Sequence, residues 1–258
     1  MSRWFDDLPF RIGTSSYIIP DDILPNVRYL RDKVKDIELV LFDVDDYCNI
    51  PNKEQAAELK QLACENGLSY TVHLPLNLNF SDQDRDISIE KALKVINGTR
   101  SLDPFAYVCH LECKDIPSEE GEALRNWQEQ RIRAVKQLME ASGLGTELAI
   151  ENLETYPIDR NEPVISACGT HSCLDIGHLF LRNEDPVPVM REWLPRTSVV
   201  HLHGVGSRDH QSLTHMPKEL IQTVLRELFR ADYRGVVTLE VFSEADFSGS
   251  MDMIRSCL

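Results

Sequence analysis

The sequence predicts a single (β/α)8 barrel over residues 1–258, and three observations predict it. Eight short apolar runs alternate with longer amphipathic ones. The runs are nearly continuous in apolar residues, as parallel strands covered by helices are, rather than alternating with polar ones. The length, 258 residues, is that of one closed α/β barrel. No linker, composition break or internal repeat divides the chain. The same alternation fits an open doubly wound sheet, but eight units favour closure.

Taken in order, strand 10–16 precedes helix 21–34, whose Pro25 must sit in the first turn. Strand 37–44 leads to helix 52–66, with Pro51 before it, Asn52 as N-cap, Gly67 beyond its end, and Ala56, Leu59, Leu62 and Ala63 at helical spacing. Strand 70–74 is followed by helix 87–102, and strand 106–112 by helix 118–142. That helix carries Leu124, Trp127, Ile132, Val135 and Leu138 to one side and stops at Gly143. Between strands 147–153 and 171–176 only a short helix, 161–168, fits. Helix 189–194, strand 198–202, helix 218–229, strand 236–242 and helix 246–257 complete the pattern.

The formal net charge is −15, from 42 acidic and 27 basic residues. A field of that sign repels phosphate backbones, so nucleic acid is disfavoured as a partner. Seven cysteines, an odd number with no C-x-x-C pair, are read as reduced, mostly buried thiols in a cytoplasmic protein. The first ten residues carry Asp6 and Asp7 and no apolar core, so no signal peptide is expected. No apolar stretch is long enough for a membrane span. The aspartates of 79–86 lack the glycine and closing glutamate of a calcium loop and are read as a solvated turn.

Six of the eight expected strands end in a metal-ligating residue: His73, His110, Glu151, Asp175, His201 and Glu240. In such a barrel, site residues come from the C-terminal ends of different strands. A lone acid there is costly to bury, and several together repel one another unless a cation is held between them. The mixed nitrogen and oxygen donors suit Zn or Mn better than Ca or Mg. Taken singly, each residue reads as a hydrogen-bonded or ion-paired structural group. The set reads as a centre for one to three divalent ions. Cys109, Cys113 and Cys173 lie close enough in sequence to offer a thiolate, but buried structural thiols are the plainer reading.

At these residues the sequence resembles the xylose-isomerase-like barrel superfamily, which contains sugar isomerases, sugar epimerases and nucleases of the endonuclease IV type. The resemblance covers essentially the whole chain. It implies that Glu151, Asp175, His201 and Glu240 form the metal site shared by both branches. His73 and His110 match two further histidines of the nuclease branch, which with a bridging Glu151 would hold a second ion. His178, three residues after Asp175, matches a ligand of a third. Where the nucleases have an Asp-x-His pair, this sequence has Asp209 and His210 adjacent, with His215 nearby, and so departs from their pattern at the third site. The run Ile12-Gly13-Thr14-Ser15-Ser16-Tyr17-Ile18-Ile19-Pro20-Asp21-Asp22-Ile23-Leu24-Pro25-Asn26-Val27 resembles the cobamide-remodelling phosphodiesterases, which open the nucleotide loop of a cobamide and release cobinamide phosphate.

The resemblance implies metal-assisted phosphodiester hydrolysis of a corrinoid. Glu151, Glu240 and His178 would be the catalytic residues, and His178, Asp209 and His210 would hold a third ion or position the phosphate. Thr14, Ser15, Ser16 and Tyr17 either line the substrate mouth or cap the first helix. His203 either faces substrate or packs under a loop. The competing readings are a single-metal sugar or sugar-phosphate isomerase or epimerase, with Glu151 and Glu240 exchanging a proton, an abasic-site nuclease, which the charge disfavours, and a ligand-binding barrel without chemistry.

Overall fold

In the computed structural model, which describes residues 3–44, 47–111, 116–117 and 120–258, eight parallel strands close into a barrel. They are β1 (Arg11–Ser15), β2 (Asp36–Val40), β3 (Ser69–His73), β4 (Ala106–Cys109), β5 (Leu148–Glu151), β6 (His171–Asp175), β7 (Thr197–Leu202) and β8 (Val236–Leu239). β1 closes the ring, pairing with β8 on one side and β2 on the other. At Gly13 the strands run so close that a Cβ would stand 3.0 Å from the Asp36 carbonyl oxygen. The barrel is therefore closed rather than open, and each of its eight strands is paired on both sides.

Among the described residues the helices are α1 (Ile23–Leu30), α2 (Lys53–Asn66), α3 (Arg85–Thr99), α4 (Glu122–Ser142), α5 (Glu162–Cys168), α6 (Ile176–Leu181), α7 (Pro186–Trp193), α8 (Lys218–Arg230) and α9 (Glu244–Cys257). α2 starts with the expected cap in full form. The Asn52 side chain accepts the Gln55 N–H while the Gln55 side chain accepts that of Asn52, and Gly67 ends the helix in the left-handed conformation. Pro25 sits in the first turn of α1, where its missing N–H leaves no helical bond unmade. The main core lies between strands and helices, and a small second core of Ala106, Val108, Ala149, Cys173 and Val199 lines the barrel interior along β4 to β7.

Three expectations change. The second strand stops at Val40 instead of running to 44; Asp43–Val44 instead pairs antiparallel with Tyr47–Cys48 as a ribbon beyond the barrel mouth. A whole helix, α6, begins at the residue after β6, because the Asp175 side chain caps it by accepting the His178 N–H. The third concerns the thiols: of the described cysteines Cys109 and Cys173 are buried, whereas Cys48 and Cys64 are exposed. The aspartate-rich turn is solvated as expected, with Asp82 and Asp86 exposed and Asp84 accepting from Asn79. The predicted end of the fourth strand at Glu112 and the thiol of Cys113 lie outside the described residues. The six described cysteines are free. Among the described residues no helix is long and apolar enough to cross a membrane.

Candidate metal centre

The pleat of a strand returns to the same face every second residue. Val108, Ala149, Cys173 and Val199 point into the barrel and form its small inner core. Two residues further on, at the C-terminal mouth, the same faces carry His110, Glu151, Asp175 and His201. A floor of small apolar side chains thus lies directly beneath a ring of metal-ligating ones. His73 and Glu240 join the ring from β3 and the residue after β8.

Glu151 stands at the centre of the ring. Its Oε2 lies 2.9 Å from His110 Nε2 and 3.3 Å from His73 Nε2, while its Oε1 lies 3.2 Å from His201 Nδ1. One carboxylate therefore faces two ligand sets. His73, His110 and Glu151 place their donor atoms within 4.8 Å of one another, and so do Glu151, Asp175, His201 and Glu240. His73 Nδ1 donates to the Leu74 carbonyl at 2.7 Å, which leaves Nε2 as the atom presented to the site. His201 does the opposite: its Nε2 meets Glu38 Oε2 at 2.9 Å and Nδ1 faces the ring.

The donor set fits a divalent cation. Asp175 Oδ2 and Glu240 Oε2 are buried and accept no hydrogen bond, although His201 Nδ1 stands 3.8 Å and 3.1 Å from them. Buried carboxylate oxygens left without a donor are costly, and a cation between them removes the cost. The electrostatics agree. Burial opposes the charge of Glu151, yet the imidazoles of His201 and His110 hold its carboxyl well below the usual range. Glu240 is held low in the same way, by His201 against its burial. Burial would lower His73, but its bond to Glu151 and the charges of Glu151, Glu38 and Glu240 raise it to about 9. Protons on these rings stand where cations would. Burial pushes the Cys109 and Cys173 thiols up in the metal-free protein, and Cys173 stands within 4.8 Å of donor atoms of Glu151 and His201.

A second histidine group borders the first. His178, on α6, donates from Nδ1 to the Asn152 carbonyl at 2.9 Å, so its Nε2 faces outward, 3.7 Å from Glu154. The loop after β7 folds back over the mouth through a bridge between Gly204 and Gln211. This brings His210, held in the left-handed backbone conformation, to 4.2 Å from the His203 ring. His210 N–H donates to His203 Nδ1 at 3.1 Å, which leaves the His203 proton on Nε2, 3.4 Å from Asp175 Oδ1. His203 is fully buried and braces Asp175 beneath the loop instead of facing solvent. Asp209 lines the mouth beside His210, with 3.7 Å between Oδ2 and Nε2. His215 lies exposed, away from the ring.

The ring opens into a cavity of about 340 Å³ whose wall includes Leu76, Leu153, Glu154, Thr155 and Phe242. Thr14, Ser15, Ser16 and Tyr17, at the end of β1 and just beyond it, do not share one position. Thr14 and Ser15 are buried and donate to the Leu239 and Val241 carbonyls, and Ser16 accepts the Val40 N–H. These three hydroxyls bind the barrel wall together. Tyr17 alone reaches the rim, where its hydroxyl meets those of Tyr47 and the Asn49 amide.

Two residues that hold the centre escaped the sequence reading. Asn152 accepts the Asp175 N–H and donates to the Asp175 carbonyl, clamping β6 beside β5. Glu38 is fully buried in the middle of β2. A signal existed for each: an amide directly after Glu151, and an acid inside the apolar run Ile37-Glu38-Leu39-Val40.

Comparison with known proteins agrees with this architecture. No curated protein matches the sequence significantly. Among solved structures, a D-tagatose 3-epimerase-like protein superposes with a TM-score of 0.77 at 18% identity, covering 96% of this chain and 97% of that one. Endonuclease IV from Thermus thermophilus gives 0.72 at 16% identity, with 96% and 98% covered. D-psicose 3-epimerase, solved in the presence of D-fructose, gives 0.68 at 15% identity, with 96% of each chain covered. At such identities the likeness speaks for the fold alone. The family described as Xylose isomerase-like TIM barrel matches residues 34–257, a span that takes in β2 to β8 and every candidate ligand, and the chain belongs to that family.

Proposed function

We propose that the protein is a metal-dependent hydrolase of a small-molecule phosphodiester. The observation that carries this reading is the division of Glu151, with one oxygen toward His73 and His110 and the other toward His201. A carboxylate shared in this way suits two ions side by side, the arrangement that clamps the attacking and leaving oxygens of an in-line displacement. His73, His110 and Glu151 would hold one ion, and Glu151, Asp175, His201 and Glu240 the other. Zn or Mn fits the donors. When bound, such ions supply a water of lowered pKa and neutralise charge on the phosphoryl oxygens.

The remaining chemistry belongs to side chains of the chain itself. His178 keeps one proton on Nδ1 through Asn152. The pull of burial is outweighed by the charges of Asp175 and Glu151, which raise the ring to about 9. Its Nε2, turned outward, would be the atom that delivers a proton to a departing alkoxide. His210 and Asp209 stand across the mouth, placed to grip the phosphate or to share a third ion with His178. Glu240 closes the ring from the residue after β8 and lines the cavity.

The N-terminal resemblance nominates the nucleotide loop of a cobamide as the bond cut. Supporting that choice, Val44, Tyr47, Leu76 and Phe242 are exposed apolar side chains, and each belongs to a segment that follows the C-terminal end of a barrel strand. They would flank a large, partly apolar substrate whose phosphodiester enters the cavity. The free thiols suit a reducing cytosol.

A second reading is a single-metal sugar isomerase or epimerase. Two of the superposed structures are a D-tagatose 3-epimerase-like protein and a D-psicose 3-epimerase. The cavity, at about 340 Å³, is also near the lower end of the usual range for small-ligand sites. One experiment separates the two. The metal-loaded protein is incubated with adenosylcobalamin and, in parallel, with D-tagatose, D-psicose and D-fructose. Release of cobinamide phosphate with two bound ions per chain supports the first reading. Sugar interconversion with one ion per chain replaces it with the second.

A further inference from the structure

We propose that Glu38 is a positioning residue of the metal centre, fixing which nitrogen of His201 binds metal and raising the affinity of that site. The inference rests on the reading of the ring as a metal site, which hydrolase and epimerase share. Glu38 is the third residue of β2, whose five residues are all buried. Its register neighbours are Thr71 on β3 and Ser15 on β1, neither of which carries a charge. Among the described residues its one ion-pair partner is His201, at 2.9 Å. Thr238 Oγ1 stands 3.5 Å from the same carboxylate oxygen, and the other oxygen, Oε1, has no partner.

Packing gives no reason for an acid here. Ile37 and Leu39 point to the opposite face of β2; on the inward face Glu38 lies between Asp36 and Val40, and an apolar side chain of similar length would avoid burying a charge. The contact with His201 does give one. An imidazole nitrogen that donates to a carboxylate cannot bind a cation, so the bond to Nε2 assigns Nδ1 as the ligand atom. Nδ1 lies 3.1 Å from Glu240, 3.2 Å from Glu151 and 3.8 Å from Asp175, which is where a shared cation would sit. A carboxylate behind a ligating histidine also makes the ring a stronger donor. With Glu151, Asp175 and Glu240, Glu38 makes four buried acids around one mouth, a charge that two divalent cations match.

Glu38→Gln tests this, because glutamine keeps the volume and can still accept the Nε2 proton while removing the charge. Wild type and variant are titrated with Zn2+ and Mn2+ alone, in competition with a chelator. The expected result is a loss of affinity on the order of 10–100-fold, with unchanged far-ultraviolet dichroism and a melting temperature of the metal-free protein equal to or above that of wild type. Equal metal affinity of the two proteins overturns the inference. Should wild type itself bind neither ion, the metal-centre reading fails first. A second readout needs no variant: long-range proton–nitrogen spectra of the zinc-loaded wild type should show His201 protonated at Nε2. A proton on Nδ1 overturns the proposal.

Discussion

Asp175 Oδ1 accepts the backbone N–H of His178 at 2.7 Å, so a candidate ligand at the end of β6 is also the N-cap of α6. The strand end, the helix start and two site residues are one local motif. Substituting the acid therefore has two separable effects. Asp175→Asn keeps a capping oxygen and should leave the fold near wild-type stability while lowering metal affinity steeply. Asp175→Ala should lose the metal as well as about 1 kcal/mol of cap stabilisation. Urea unfolding of the metal-free proteins, alongside metal analysis, separates the two. Equal stability of the two variants would remove the capping role.

The division of Glu151 makes the number of bound ions depend on which residue is changed. Glu151→Gln should weaken both ions and reduce turnover by more than about 100-fold, beyond the 10–100-fold typical of losing an outer partner. His73→Ala or His110→Ala should remove one ion and leave the other on Glu151, Asp175, His201 and Glu240. Elemental analysis after gel filtration reads the count. Under the phosphodiesterase reading these histidine variants are inactive; under the epimerase reading they retain activity with their single ion.

Metal-free protein should be most stable in mildly acidic solution. His73 and His178 are raised to about 9 in the folded state, from about 6.5 when unfolded. Their contribution is complete below about pH 6.5 and is lost as pH rises through about 9. Glu151 and Glu240 are held low, so their contribution is present above about pH 4.5 and is lost as pH falls toward their folded values. Melting temperatures of the chelated protein should therefore peak between about pH 4.5 and 6.5. Because the same rings must lose protons to bind a cation, metal affinity should climb with pH over that alkaline range, with protons released on binding. A chelated protein whose stability is flat from pH 6 to 9 would contradict the assignment of the site protons.

The loop after β1 depends on a single buried amide. Asn26 Oδ1 accepts the N–H groups of Ile18 and Ile19, and its Nδ2 donates to the carbonyls of Ile19, Asp21 and Asp22. Asn26→Ala strands these groups and should cost about 3 kcal/mol in urea unfolding. Because the same loop carries Tyr17 to the rim, substrate affinity should fall further than metal affinity, which calorimetry can resolve.

The sequence by itself determined the barrel and the ring of six candidate ligands. Both are written in local order: apolar runs of strand length recur eight times, and the period of two that buries Val108, Ala149, Cys173 and Val199 also carries His110, Glu151, Asp175 and His201 to the same face two residues later. It placed α2 to its cap for the same reason, since a capping box is four consecutive residues. It extended β2 past Val40 because apolar character does not stop where pairing does, and it passed over α6 because that helix follows β6 with no intervening turn signal. Only the tertiary structure decided that Thr14, Ser15 and Ser16 bind the barrel wall while Tyr17 reaches the rim. It also decided that His203 braces Asp175 and that His201 turns Nδ1 to the site. Each of these depends on a partner distant in the chain; Glu38 and His201 are 163 residues apart. Periodicity tells which face a side chain takes, whereas the atom it presents there is set by the group that the closed barrel brings to its other side.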